Sequence, residues 1–269
     1  VKSRAKSNSG ISELLKKDGS LTEGDQEKAE RLNEQYAETF TTEDTANIPQ
    51  FLDKDLNTAK LSGIRIDIED VRERLSQLRT DKSPGLDGMH PRVLKELTDV
   101  LAEPLSIIFQ RSLDTGVLPK SWKEAVVTPI FKKGSKNEAA NYRPVSLTSV
   151  ICKILERIVG EEIVSHVRGN LLDANEQHGF TKGKSTVTNL LEALNVWTEA
   201  LSHGIPVDVI YLDYAKAFDT VPHKRLTEQI RSFGIDGSLM MWLQDFVTER
   251  RQKVRVNDAV SSWTEVTSG

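Results

Sequence analysis

Ala29, Leu32, Tyr36, Ala37 and Phe40 recur every three or four positions, the spacing that lines one face of a helix, so a helix is predicted over residues 24–40. The polar stretch before it, residues 1–22 with Lys2, Arg4 and Lys6, reads as a flexible lead-in, and residues 41–66, interrupted by Pro49, as an irregular linker. Val71, Leu75 and Leu78 mark a second helix from about Ile68, stopped before Ser83-Pro84-Gly85-Leu86-Asp87-Gly88, a segment dense in turn formers. A third helix is expected over Pro91–Asp114, closed by Gly116. Val126–Phe131 is a short apolar strand that can pair with Tyr142–Thr148, and Lys132–Asn141, holding Gly134, Ser135 and Asn137, is the hairpin loop between them. Amphipathic helices follow at Ser149–Val167 and Ser185–Ser202. Val207–Leu212 then reads as a buried strand, Thr220–Phe233 as a helix with Pro222 near its start, Leu239–Thr248 as a helix and Gln252–Val256 as a basic strand. No internal repeat or low-complexity block interrupts the pattern. The class is α+β and helix-rich.

Composition supports a buried core: 38% of the 269 residues are hydrophobic and 28% charged. The net charge of −4 gives no overall sign of a nucleic-acid partner. The distribution changes that picture. Residues 1–70 carry 10 basic and 15 acidic side chains, whereas residues 111–157 carry 9 basic and 4 acidic ones. Nucleic-acid proteins need a local basic surface rather than a basic average. A single cysteine, Cys152, excludes an internal disulfide and a cysteine-based zinc site, and suits a reducing compartment. No apolar run nears the ~20 residues of a membrane span, and no signal-peptide pattern opens the chain. The first residue, Val1, suggests a fragment.

Three segments can carry chemistry. In Tyr211-Leu212-Asp213-Tyr214-Ala215-Lys216-Ala217-Phe218-Asp219 an apolar strand delivers Asp213 at its end, where strands commonly present functional groups. A carboxylate there can serve as a partial Mg²⁺ ligand, since magnesium takes one or two carboxylates plus substrate phosphates. On these residues alone, Asp213 and Asp219 can equally end a strand and cap the next helix. The hairpin loop carries Lys132, Lys133 and Lys136, and Arg143 opens the returning strand. Lysine point charges and an arginine fork suit a triphosphate, although any single lysine reads more readily as a solvated surface charge. The third segment is Gln177-His178-Gly179-Phe180-Thr181-Lys182-Gly183-Lys184-Ser185-Thr186. Its Gly-Lys-Ser-Thr tail imitates a phosphate-binding loop, but Gly179 and Gly183 enclose three residues where that loop needs four, and no strand precedes it. The nucleotide-triphosphatase reading is therefore rejected. His90, His166, His178, His203 and His223 lack metal-ligand spacing and read as solvent-facing or satisfied structural residues.

Taken together and in order, these segments resemble the reverse transcriptase of non-LTR (LINE-type) retrotransposons, most closely the jockey-like group. Ser83–Gly88 resembles the family's SPGxDG block. Thr128-Pro129-Ile130-Phe131-Lys132-Lys133-Gly134 and Asn141-Tyr142-Arg143-Pro144-Val145-Ser146-Leu147 resemble its fingers strands. Gln177–Thr186 resembles the QxGFxxGxST block, and Tyr211–Asp219 resembles the first catalytic motif. Val221-Pro222-His223 and Val254-Arg255-Val256-Asn257 also fit, and the resemblance runs over roughly residues 24–269. It implies Asp213 as a catalytic, metal-binding aspartate with the Tyr214 backbone beside the same Mg²⁺, and Phe218 as the residue that blocks a ribose 2′-OH. It further implies Lys132 and Arg143 on the incoming deoxynucleoside triphosphate. Pro84, Gly85, Asp87, Gly88, Gly179, Lys182, Lys184 and Ser185, with Lys133 and Lys136, would lie along template RNA and primer DNA. Asp219 would brace local structure.

The expected fold is helix-rich fingers plus a partial palm of a right-hand polymerase. Residues 1–66 would be a linker with one helix, 67–204 the fingers and 205–269 the beginning of the palm. After Asp219 the aspartates are Asp236, Asp245 and Asp258, none adjoining another. The family's later adjacent-aspartate motif is thus not in this stretch, and the expected Mg²⁺ pair is incomplete. The implied function is RNA-directed DNA synthesis for a mobile element, with intracellular, nuclear action and no membrane. Inactivity of this chain alone is expected. A non-catalytic nucleic-acid-binding remnant and an inert product of a decayed element are the rival expectations.

Overall fold

The computed structural model describes residues 10–170 and 176–269. Helix α1 spans Asp25–Ala37, with Asp25 and Glu27 in the first turn, where carboxylates favour the helix dipole, and with Ala29, Leu32 and Tyr36 buried. Helix α2 spans Ile68–Ser76; the Asp67 side chain caps it by accepting from the Glu69 amide, and Val71 and Leu75 are its buried face. The single helix expected over 91–114 is two, α3 at Pro91–Glu96 and α4 at Thr98–Thr115. Leu97 leaves helical geometry (φ −98°, ψ 20°), and the Thr98 hydroxyl donates to the Lys95 carbonyl at 2.6 Å, satisfying an acceptor that the break frees. Gly116, at φ 67°, ends α4 in the left-handed conformation that glycine adopts without strain.

Strands β1 (Glu124–Phe131) and β2 (Tyr142–Leu147) form the expected antiparallel hairpin, in register from Val126↔Leu147 to Phe131↔Tyr142. Helices α5 (Val150–Gly169), α6 (Thr186–Ser202), α7 (His223–Ser232) and α8 (Gly237–Val247) follow within two residues of expectation at most ends. Strand β3 (Arg250–Val256) then lies parallel to β1, with Glu124↔Arg251 through Val127↔Val254 in register. Two short strands that the pattern did not predict, β4 (Ala259–Val260) and β5 (Thr264–Val266), both pair antiparallel with β3. The sheet order is β2-β1-β3-β4, with β5 also on β3.

Two apolar cores hold these elements. Phe109, Leu113, Trp122, Leu155, Leu239 and Trp242 belong to a helical core built by α2, α4, α5 and α8. Val127, Val254 and Val256 from one sheet face close on Ala29, Leu32 and Tyr36 of α1 in the second. Leu14 is completely buried in that second core, and the Leu15 amide donates to Asn137 O at 2.8 Å. Residues 10–22 are therefore docked, a correction to the flexible lead-in; residues 1–9 lie outside the described residues. The 41–66 segment has no helix or strand, yet it is tied down: Lys54 N donates to Ser232 O and Leu61 N to Gly234 O, and Ile64 and Ile66 are buried.

The largest departure is Val207–Leu212. It is neither a strand nor buried; Ile210, Tyr211 and Leu212 are 82%, 84% and 86% exposed. An apolar run becomes a buried strand only where a ladder partner and a covering layer exist. Among the described residues this run has no ladder partner. Helix α6 has the predicted amphipathic pattern but no buried residue: Val187, Leu190, Leu191, Leu194 and Leu201 are all exposed. Large apolar patches left uncovered in this way favour association. Leu190→Gln with Leu194→Gln is expected to reduce concentration-dependent self-association in sedimentation velocity while leaving stability within about 0.5 kcal/mol, the usual range for surface substitutions.

Ser83–Gly88 forms the expected turn. Gly88 sits at φ 69°, its amide donates to Gly85 O at 3.2 Å, and the Asp87 carboxylate accepts from the Met89 amide at 3.1 Å. Gly85 is fixed by packing: a Cβ there would lie 2.5 Å from Thr148 O and 2.8 Å from Ser149 N. The turn is thus seated against the junction between β2 and α5. Gly85→Ala should lower stability by about 1–3 kcal/mol through overpacking against unyielding backbone, read as a lower urea midpoint at unchanged slope.

Candidate nucleotide and nucleic-acid site

The β1–β2 hairpin is held by more than its strand ladder. Beyond the paired strands, Lys132 N donates to Asn141 O at 2.9 Å, and Phe131 meets Tyr142 edge to face at 5.5 Å between centroids. Lys136 Nζ stands 5.7 Å from the Phe131 ring centroid, and the Tyr142 hydroxyl donates to Lys136 O at 2.8 Å. Gly134 turns the loop at φ 91°, over an Asn141 side chain that a Cβ would meet at 2.6 Å.

A cavity of about 380 Å³ opens between this hairpin, the end of α1 and the turn at 216–219. Lys132 and Arg143 line it from the hairpin, Tyr36 and Thr39 from α1, and Lys216, Phe218 and Asp219 from the turn. Three residues assigned to the triphosphate and sugar from sequence, Lys132, Arg143 and Phe218, are therefore gathered at one cavity. The sequence reading missed Tyr36, Thr39 and Lys216. Tyr36 shows only as one apolar position of a helical stripe, which carries no hint of what lies past the helix end. Burial drives the Tyr36 phenol well above its ordinary range, so it remains a protonated donor; its hydroxyl is buried without a hydrogen-bond partner.

Asp213 and Tyr214 do not line this cavity; both are exposed on the unladdered apolar segment. Among the described residues, no group of three or more His, Cys, Asp or Glu side chains could hold a metal ion. Lys133 and Lys136 are exposed on the hairpin loop, and Pro84, Gly85, Asp87 and Gly88 form the turn at the β2–α5 junction. Gly179, Lys182, Lys184 and Ser185 lie in the turn before α6. There the Ser185 hydroxyl accepts from the Thr188 amide and the Thr188 hydroxyl from the Ser185 amide, a capping box. The Gly-Lys-Ser-Thr run opens α6. This turn reaches the 216–219 turn: Phe180 meets Phe218 edge to face, 5.9 Å between centroids at 83°.

The histidines described as structural are satisfied: His166 Nε2 lies 2.8 Å from Phe233 O, and His223 Nε2 3.1 Å from Gly269 O. Burial, with Glu156 beside it, pushes the Cys152 thiol far up, which makes it inert as a nucleophile. The basic strand expected near 252–256 stacks its cations on an aromatic ring that the sequence did not pair with it: Arg251 and Lys253 of β3 sit 5.0 and 4.7 Å from the Trp263 ring centroid. No helix among the described residues is long and apolar enough to cross a membrane.

The family model for reverse transcriptase (RNA-dependent DNA polymerase) matches residues 130–269, and the chain belongs to that family. Its relatives place it with the enzymes of jockey, BS and X-element non-LTR retrotransposons. It is 28% identical over 205 residues to the RNA-directed DNA polymerase from mobile element jockey of Drosophila melanogaster, covering 76% of this chain and 22% of that protein. It is likewise 28% identical over 197 residues to the probable RNA-directed DNA polymerase from transposon BS of the same species, covering 73% of this chain and 22% of that protein. A third relative, from transposon X-element, is 28% identical over 201 residues. The chain spans about a fifth of the length of these curated relatives.

If the hairpin loop carries nucleic acid, affinity for single strands should fall with salt at a slope of about −0.7 per neutralised phosphate. Replacing Lys132, Lys133 and Lys136 with alanine should weaken oligonucleotide binding and flatten that slope in fluorescence anisotropy. A slope identical to wild type would move the contact surface elsewhere.

Proposed function

We propose that this chain is the nucleotide- and template-handling part of an RNA-directed DNA polymerase of a non-LTR retrotransposon. The observation that carries the reading is the cavity shared by Lys132, Arg143 and Phe218. Lysine and arginine from the hairpin neutralise the triphosphate; the arginine fork matches two phosphate oxygens at once. Phe218 sits under the sugar and excludes a 2′-OH by clash, so deoxynucleotides are preferred. The Pro84–Gly88 turn and the Gly179–Ser185 turn flank the template, with Lys182 among their exposed cations. Residues 67–204 are read as fingers, 205–269 as the beginning of the palm, and 1–66 as the linker with α1.

Polymerases of this family use Mg²⁺ ions to stabilise the attacking and leaving oxygens of phosphoryl transfer. The described residues fit that group only in part. Asp213 offers one oxygen ligand, the Tyr214 backbone accompanies it, and no further carboxylate completes a cluster. No chemical step is therefore assigned to a metal here.

Titration with labelled deoxy- and ribonucleoside triphosphates tests the proposal. Lys132→Ala and Arg143→Ala should each weaken deoxynucleotide binding by about tenfold, the scale of one hydrogen bond to a charged group. Phe218→Val should raise ribonucleotide binding relative to deoxynucleotide. Equal binding by all four proteins would remove the nucleotide site. Primer extension on an RNA template should be absent for the 269-residue chain; extension abolished by Asp213→Asn would show that it completes a catalytic site.

A further inference from the structure

The turn between residues 176 and 185 has no share in either apolar core, yet it places an aromatic ring on Phe218. Phe180 is 94% exposed and sits at φ 61°, a left-handed conformation that a bulky side chain rarely adopts. Left alone, such a residue would relax out of that conformation and carry its ring away. Strain of this kind persists only where neighbouring structure holds it. The holder stands two residues earlier. His178 is buried, its Nδ1 lies 2.9 Å from the Thr188 hydroxyl, and its Nε2 lies 2.7 Å from the Glu192 carboxylate.

Both ring nitrogens are thus committed to α6, on its first and second turns. Thr188 is itself locked, exchanging hydrogen bonds with Ser185 in the capping box. Gly179 and Gly183, the latter at φ 83°, supply the bends on either side of Phe180. The far side of the contact shows the same feature: Lys216, two residues before Phe218, is at φ 51°. Two turns with left-handed non-glycine residues therefore meet ring to ring, and the ring on the α6 side is placed by a histidine clamp.

We propose that His178 is a positioning residue for sugar selection: through Thr188 and Glu192 it fixes the turn that braces Phe180 against Phe218. The proposal rests on the reading of the Lys132–Arg143–Phe218 cavity as the nucleotide site. Phe218 is 71% exposed, so its own packing does not hold its ring against a clashing 2′-OH; the Phe180 edge restricts it. His178 touches no substrate in this account and acts only through Phe180.

The test compares wild type, His178→Ala, His178→Gln, Glu192→Gln and Phe218→Val by titration with deoxy- and ribonucleoside triphosphates. Hydrogen exchange is followed at residues 179–185 and across β1 and β3. His178→Ala should reduce the deoxy-over-ribo preference about fivefold, the net contribution of one hydrogen bond, while deoxynucleotide affinity changes less than about twofold. Exchange should quicken at 179–185 and stay at wild-type rates in β1 and β3, which separates loss of the clamp from unfolding. His178→Gln, which can still donate to Glu192, should recover most of the preference, and Glu192→Gln should lose part of it. An unchanged preference in His178→Ala, with exchange at 179–185 quickened, would overturn the positioning role and leave a purely structural histidine. A wild type that shows no preference, or a Phe218→Val variant indistinguishable from it, would remove the nucleotide-site reading and this inference together.

Discussion

The parallel pairing of β1 with β3 is the constraint on which the rest of this molecule depends. It brings Glu124–Val127 beside Arg251–Val254, segments far apart in the chain, and a parallel pair needs a long crossover, here supplied by α5 to α8. Val127 and Val254 are completely buried on the face covered by α1. Burying side chains of that kind contributes roughly 1.5–3 kcal/mol each, which helps offset the entropy of closing so long a loop. On the helical side, Lys123 just ahead of β1 is buried against Asp245 of α8 at 2.7 Å, and its carbonyl accepts from Arg251 N at 3.1 Å. One short region of β1 thus ties the sheet to both apolar cores.

That tie also assembles the cavity. Once β3 lies on β1, β5 runs antiparallel to β3, and the chain after it lies against the 216–222 turn: the Ser268 hydroxyl donates to Asp219 O at 2.6 Å, and Gly269 N to Val221 O at 3.0 Å. The turn bearing Phe218 is anchored through the sheet, not through the apolar run that precedes it. This is why Lys132, Arg143 and Phe218 share a cavity while Asp213, only a few residues upstream of Phe218, stands exposed.

Where both partners of a contact lie within a regular element, the amino-acid pattern was legible. The helical stripe Ala29-Leu32-Tyr36 and the Val126–Phe131 hairpin follow from periodicity and turn chemistry, and their boundaries move by three residues at most. Two kinds of feature were not legible. The α3–α4 break rests on the geometry of one residue, Leu97, and on a Thr98 hydroxyl bond that any Thr can make. Strands β4 and β5 are two and three residues long, too short for alternation to register. Val207–Leu212 shows the converse limit: composition announces a strand's appetite for burial, but burial depends on partners elsewhere. Lys132, Arg143 and Phe218, singled out by motif resemblance, share a cavity with Tyr36 and Lys216, which no sequence pattern singled out, because proximity across the α1 end is a tertiary fact.

The residues to which the resemblance assigns chemistry lie on segments that the cores do not own. Asp213 lies on an exposed run, Phe218 belongs to a turn, and the hairpin lysines occupy a loop, whereas the sheet and helical cores hold apolar residues. Opening free energies fall toward zero where buried apolar contacts are few, so these turns are the parts most able to adjust around a substrate. Freedom alone would be a poor basis for discrimination, because a ring that swings clear excludes nothing. The structure counters it locally: hydrogen bonds from His178 fix one turn to α6, and Ser268 and Gly269 fix the other to the end of the sheet. Polar anchors thus hold two otherwise pliable turns, one to α6 and the other to the end of the sheet, and only the second is tied to an element stabilised by the β1–β3 pair and the cores it joins.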